Sequence, residues 1–185
     1  AVYTGTVTFV NTVNSAVMSR AVTLDLTPYL TLAQSFPMDS DPMWSRQGQW
    51  AFGTPTGQGF LPDPTSGYTG TKVFGVALNG NYVVSVAPYE YLTTGPVNLS
   101  GMTNNHVRFA RWLNCSSQSF SDSTFEMSTD GVSWTTLFRN TTSAITESSW
   151  TEVTYPLGAQ ADNQSTVYLR WGHRVNNAGA SARSG

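Results

Sequence analysis

Lysine occurs once in these 185 residues, at Lys72, against eight arginines, and charged residues of every kind make up only 11%. An ordinary soluble domain carries about a quarter. The formal net charge is −2, so the long basic stripe expected of a nucleic-acid binder is missing. Cysteine is also single; Cys115 excludes an intrachain disulfide and reads as a small buried apolar residue. No apolar run is long enough to span a bilayer, so no membrane insertion is expected. Histidine stands only at His106 and His173, and neither H-E-x-x-H nor C-x-x-C spacing occurs, which leaves zinc too few ligands. The G-x-S-x-G elbow and the phosphate-cradling G-x-x-x-x-G-K-S/T loop are absent. Among seven Asp and four Glu no pair stands apart as the acid and base of a glycoside hydrolase. Without a nucleophile, base or metal constellation, the chain is expected not to be an enzyme.

Ser and Thr fill the place of the missing charge, with 21 Ser and 25 Thr. A Thr-, Gly- and aromatic-rich chain with little Lys reads as an extracellular all-β protein. It opens at Ala1 without a basic or apolar leader, consistent with a signal peptide already removed. No segment sustains a 3.6-residue apolar period, so no long helix is expected. Period-two alternation recurs instead. The strands it predicts are VYTGTVTFV, VTLDLT (Val22, Leu24 and Leu26 on one face), KVFGVAL, NYVVSVA, HVRFARWL, SWTEVTYPL and STVYLRWG. The Asn79–Gly80 pair is expected to turn KVFGVAL into NYVVSVA as a tight hairpin. STFEMSTDGVSWTTLF reads as a second hairpin, with Phe125 and Met127 on one face and the turn at Asp130–Gly131. The sum is a two-sheet antiparallel β-sandwich in one domain, residues 1–185.

Alternation also assigns faces. Val107, Phe109, Arg111 and Leu113 share the apolar side of HVRFARWL, so Arg111 needs a carboxylate or a clamp of carbonyls. In TVYLRWG, Trp171 joins Val167 and Leu169, and Arg170 lies beside Tyr168 on the opposite side. The stretch from Trp50 to Tyr82 is crowded with Gly, Pro and Thr. Gly53, Gly57, Gly59, Gly67 and Gly70 let it double back, while Pro55, Pro62 and Pro64 stiffen it. Trp50, Phe52 and Phe60 are expected to pin it to the sandwich, which makes it a self-supporting loop first. Asp39 and Asp41 in MDSDP, and Asp63 in PDPTSG, offer hard oxygens on irregular backbone. That pattern suits either a structural Ca²⁺ or turn caps. Glycan binding would use exposed aromatics; the candidates are Trp44, Tyr68, Tyr82, Tyr89, Tyr91 and Trp112. Of these, Tyr68, Tyr89 and Trp112 are the ligand-binding residues expected.

The strings WAFGTPTGQGF, DPTSGYTG, VRFARWLN, FEMSTDGVSW and TEVTYPLGAQADNQSTVYLRWG resemble a bacterial secreted module related to the MAM-like domains, over about residues 25–174. Such modules occur in multidomain surface proteins and beside extracellular hydrolases. The resemblance implies a jelly-roll-like sandwich, non-catalytic, with adhesive or carbohydrate-binding roles. This chain departs from the pattern at Asn81, where the family carries Asp, and at Pro156, where an Asp follows the Tyr. It also reaches Gly185 where a last family strand would begin, so a truncated end or a strand donated by another copy is expected. The function expected is an extracellular or cell-surface binding module for a glycan or protein ligand. The alternative is a structural subunit that assembles with copies of itself through an open sheet edge.

Overall fold

Nine residues of alternating Thr and apolar side chains, VYTGTVTFV, form β1 (Val2–Val10), which pairs antiparallel with β2 (Val17–Asp25). Here and below, the computed structural model describes residues 2–25, 30–177 and 179. By its contacts the chain groups into two units, residues 1–32 and 33–185. The first is this hairpin. Its register runs from Tyr3↔Leu24 to Val10↔Val17, and the Asn11 and Asn14 side chains accept the N–H groups of Val13 and Ala16 to close the turn. The pleat sorts it into two faces. Tyr3, Val7, Phe9, Met18, Val22 and Leu24 lie on one, Thr4, Thr6, Thr8, Ser19 and Thr23 on the other, and every one of these side chains is exposed. Strand β2 begins earlier than VTLDLT suggests; Val22 and Leu24 do share a face, and Leu26 falls outside the described residues.

The second unit is an antiparallel β-sandwich. Its larger layer has five strands in the order β10–β9–β13–β6–β3. These are β3 (Ser45–Arg46), β6 (Glu90–Thr93), β9 (Ser121–Ser128), β10 (Thr135–Arg139) and β13 (Tyr168–Val175). Facing it are three two-stranded ladders: β4 (Trp50–Gly53) with β5 (Val73–Val76), β7 (His106–Arg111) with β12 (Thr151–Pro156), and β8 (Asn114–Cys115) with β11 (Ile145–Thr146). The single 3₁₀ turn, Ala159–Ala161, is the one helical element among the described residues. No helix there is long and apolar enough to cross a membrane.

Alternation explains how the layers meet. On β9 and β13, Phe125, Met127, Leu169 and Trp171 point inward and join Leu99, Leu157 and Val167 in the main core. From the opposing ladder, Phe109 meets Phe125 at 5.2 Å and Trp171 at 5.4 Å, both edge to face. Tyr155 of β12 lies 5.4 Å from Phe125. Further along, Trp44 lies flat between Phe74 of β5 (5.0 Å) and Trp171 (5.6 Å), coupling the β4–β5 ladder to the sheet. Full burial of side chains such as Phe125 and Met127 contributes roughly 1.5–3 kcal/mol each. The hairpin expected at Asp130–Gly131 forms as β9–β10, with Gly131 at φ 73° and a bulge between Thr136 and Phe138.

One expected hairpin does not form. Asn79–Gly80 makes a local turn, Gly80 N–H to the Ala77 carbonyl, but residues 81–87 are not a strand. Strand β5 pairs instead with β4, Trp50↔Val76 to Gly53↔Val73. The NYVVSVA segment finds single bonds elsewhere: Val83 N–H to the Gln49 side chain, Ala87 N–H to the Val175 carbonyl. Tyr82 is buried while Val83 and Val86 stay exposed, so the apolar alternation there marks one anchor and not a ladder.

Candidate functional site

The outer face of the five-stranded sheet is polar and aromatic. On β13 the residues alternating with Leu169, Trp171 and Val175 are Arg170, Gly172 and Arg174, and opposite them on β9 stand Glu126, Thr124 and Asp122. Across β6, Tyr91 is the partner of Gly172. A Cβ on Gly172 would lie 2.8 Å from Tyr91 Cε1 and 2.5 Å from Thr124 Oγ1. Glycine therefore lets the tyrosine ring lie down on the sheet.

Around that ring the side chains stack. The Arg170 guanidinium sits between Tyr91 (3.8 Å) and Trp134 (3.9 Å). Tyr89 stacks on Tyr91 at 5.4 Å and 18°, and Arg174 covers Tyr89 at 4.4 Å. Each guanidinium is tied down by a carboxylate. Arg170 meets Glu126 at 2.6 Å. Arg174 and Arg139 share Asp122, at 2.7 and 2.8 Å. Asn176 Nδ2 also donates to Asp122, and the Gln118 amide, oriented oxygen-first, accepts from Arg139 Nε at 2.8 Å. Asp122 has 0% side-chain exposure. Burial alone would raise its pKa, but hydrogen bonds from Arg139, Asn176 and Arg174 outweigh that and hold it well below the usual carboxylate range. Burial and then the Asp122 charge push the Tyr89 phenol up to about 12, and burial likewise raises Tyr91. Both phenols are thus neutral hydrogen-bonding groups at physiological pH. The result is a half-exposed row of aromatic edges and guanidinium groups, pre-packed in place.

Of the three residues expected to bind ligand, Tyr89 is in this row. Tyr68 is 52% exposed on the loop between β4 and β5. Trp112, beyond the end of β7, donates its indole N–H to the Pro62 carbonyl at 2.9 Å and meets Trp150 edge to face at 5.8 Å. Asn114 Nδ2 donates to the same carbonyl, so two side chains of the sandwich fasten the loop at one atom. The loop is further held by Thr56 N–H to the Leu78 carbonyl and Phe60 N–H to the Asn81 side chain. Phe60 itself does not pin it; its ring is 74% exposed, and Trp50 and Phe52 belong to β4. Gly67 is required, since a Cβ there would meet the Thr69 and Lys72 carbonyls at 2.7 and 2.8 Å.

Asp41 pairs with Arg46 at 3.0 Å and accepts the Met43 N–H. Asp39 lies against the loop, its Oδ1 3.1 Å from where a Gly70 Cβ would be. Among the described residues no three His, Cys, Asp or Glu side chains converge, so a cation near Asp39, Asp41 or Asp63 would draw most of its ligands from carbonyl oxygens. Arg111 is a core-edge ion pair: Glu147 at 2.6 Å, the Tyr155 hydroxyl at 3.3 Å and the Phe138 ring at 5.0 Å. A concavity of about 250 Å³, lined by Gln49, Ser85, Pro88, Glu90 and His173, opens at the end of β13.

No protein-family model matches the chain, and no curated protein matches it. A solved structure described as the structural basis for promiscuous specificity of carbohydrate-binding modules from the β-sandwich superfamily has 12% identity and a TM-score of 0.46, over 100% of this chain and 69% of that one. At that level the likeness bears no weight, and the sandwich assignment stands on the packing described above.

Sequence reasoning missed Trp134, Arg170 and Arg174 as parts of one site. The signal available was the outward alternation Arg170–Gly172–Arg174; what it lacked was the pairing of β13 with β6, which brings Tyr91 beneath Arg170.

Proposed function

We propose that this chain is a non-catalytic extracellular binding module that takes a glycan on the outer face of its five-stranded sheet. The observation that carries the reading is the row Trp134–Arg170–Tyr91–Tyr89–Arg174. Sugars offer apolar C–H faces and rings of hydroxyls, and a surface of fixed aromatic edges with guanidinium donors and phenol oxygens answers both. The stack and its carboxylates hold each group before ligand arrives, which lowers the ordering cost of binding. The adhesive role implied by the resemblance to MAM-like surface modules is compatible with such a face, and a structural Ca²⁺ belongs to the same proposal.

A glycan array of the whole chain, run with and without EDTA, tests it. Binding is expected, with loss on Trp134→Ala and Tyr91→Ala while Tyr68→Ala binds as wild type; an array blank at high protein concentration would sink the proposal. A second reading, assembly with copies of itself, draws on the apolar face of the β1–β2 hairpin, and light scattering showing species larger than a monomer would favour it.

A further inference from the structure

We infer that the ligand of the outer sheet face is an acidic glycan, its carboxylate or sulfate held between Arg139 and Arg174. This rests on the proposed reading of that face as a glycan site and adds the charge of the ligand. Three guanidinium groups, Arg139, Arg170 and Arg174, crowd the face with two carboxylates, Asp122 and Glu126, so one positive charge is in excess. The excess is more pronounced at the surface, because the signs are sorted by depth. Side-chain exposure is 42% for Arg139 and 34% for Arg174, against 0% for the Asp122 they share and 9% for Glu126. An approaching molecule meets cations with their counter-ions underneath.

The chain as a whole has a net charge of −2, so this patch runs against the global balance. Asp122 does more than neutralise. By accepting from Arg139 Nε and Nη2 and from Arg174 Nε and Nη2, it holds two like-charged groups side by side with one negative charge between them, which leaves one positive charge unmatched. Each planar guanidinium carries five N–H donors, more than Asp122 uses, and the remaining edges suit the paired oxygens of a carboxylate or sulfate. The neutral Tyr91 phenol beside them supplies a donor for sugar hydroxyls, while Tyr89, whose O–H is given to Asp122, offers its oxygen as an acceptor.

The test is titration calorimetry of the full chain with polygalacturonate, its fully methyl-esterified form, chondroitin sulfate and poly-L-glutamate. Polygalacturonate is expected to bind with affinity that falls as salt rises, and its methyl ester at least about tenfold more weakly, as loss of a charge-assisted bond implies. Tighter binding of chondroitin sulfate would support the inference and assign the charge to sulfate. Arg174→Gln and Arg139→Gln should each weaken binding by about tenfold, with Arg108→Gln on the opposite layer as the unchanged control. If an arginine variant melts early, the methyl-ester comparison still decides, since it alters only the ligand. Equal affinity for the ester, insensitivity to salt, or equal binding of poly-L-glutamate would overturn the acidic-glycan inference and leave the glycan site standing. No binding of any polysaccharide would overturn both.

Discussion

Gly172 shows how one missing side chain organises a surface. With nothing on its outer side, the Tyr91 ring drops onto the backbone and offers its face to Arg170. Gly172→Ala should therefore lower stability by about 1–3 kcal/mol, the usual cost of forcing extra volume into a packed site. Thermal melts should show the loss, and in the Tyr91→Ala background the same substitution should cost less, because half of the clash is gone. A cost unchanged by removing Tyr91 would mean that the Thr124 contact, at 2.5 Å, dominates. Arg111 makes a different point at this scale. Its place on an apolar strand face demanded a counter-charge, and Glu147 meets it while also accepting the Leu113 N–H at 2.6 Å. That need was legible from alternation alone; the identity of the partner was not, since Glu147 arrives from a separate segment.

Among the elements, those that alternate and pair close in sequence were the readable ones. The β9–β10 hairpin, β7, β12 and β13 follow from period-two patterning, with Phe125, Met127, Val107, Phe109 and Trp171 on the inward side as alternation requires. NYVVSVA has the same pattern and is no strand, because patterning reports which faces are apolar and says nothing of whether a neighbour's edge is open. Here β5 pairs with β4 on one edge, and residues 81–87 spend their backbone bonds on Gln49 and Val175 instead of on the other. The aromatic and guanidinium row was illegible for the same reason: it is assembled from β6, β13 and the approach to β10, which only the sheet order brings together. The β1–β2 hairpin carries its own prediction. A two-stranded hairpin is at best marginally stable in water, and neither core cluster uses any of its residues. Its amides should exchange fastest among the strands, and a chain starting at residue 33 should keep the principal melting transition of the full protein. Collapse of that transition on removing residues 1–32 would show that the hairpin is integral to the fold.

For the molecule as a whole, two buried groups set separate acid limits. His173 is 5% exposed, its ring 4.5 Å from that of Tyr82 and tilted 59° to it, with no hydrogen-bond partner at Nε2, and its cross-strand neighbour Glu90 accepts the Gln49 N–H. Burial lowers its pKa from 6.5 to about 4. The unfolded chain therefore takes up a proton near pH 6.5 that the folded chain refuses until about pH 4, and stability falls across that window. The full loss is about 3 kcal/mol, at 1.36 kcal/mol per pKa unit. Asp122 works below it: its folded pKa is depressed, so its contribution disappears only as pH drops beneath 3.8. Urea denaturation from pH 7.5 to 4.5 should show the histidine decline, and His173→Leu should flatten it whatever its absolute stability. An unchanged slope would assign the decline to other groups. The fastening at Pro62 has a wider consequence. Trp112 and Asn114 grip a main-chain oxygen, which every amino acid possesses, so the loop's moorings do not depend on which side chains it displays. Apart from Gly57, Gly67 and Gly70, which leave no room for a side chain, substitutions on the loop leave these two bonds in place, a built-in reserve of surface on which new specificity can be written.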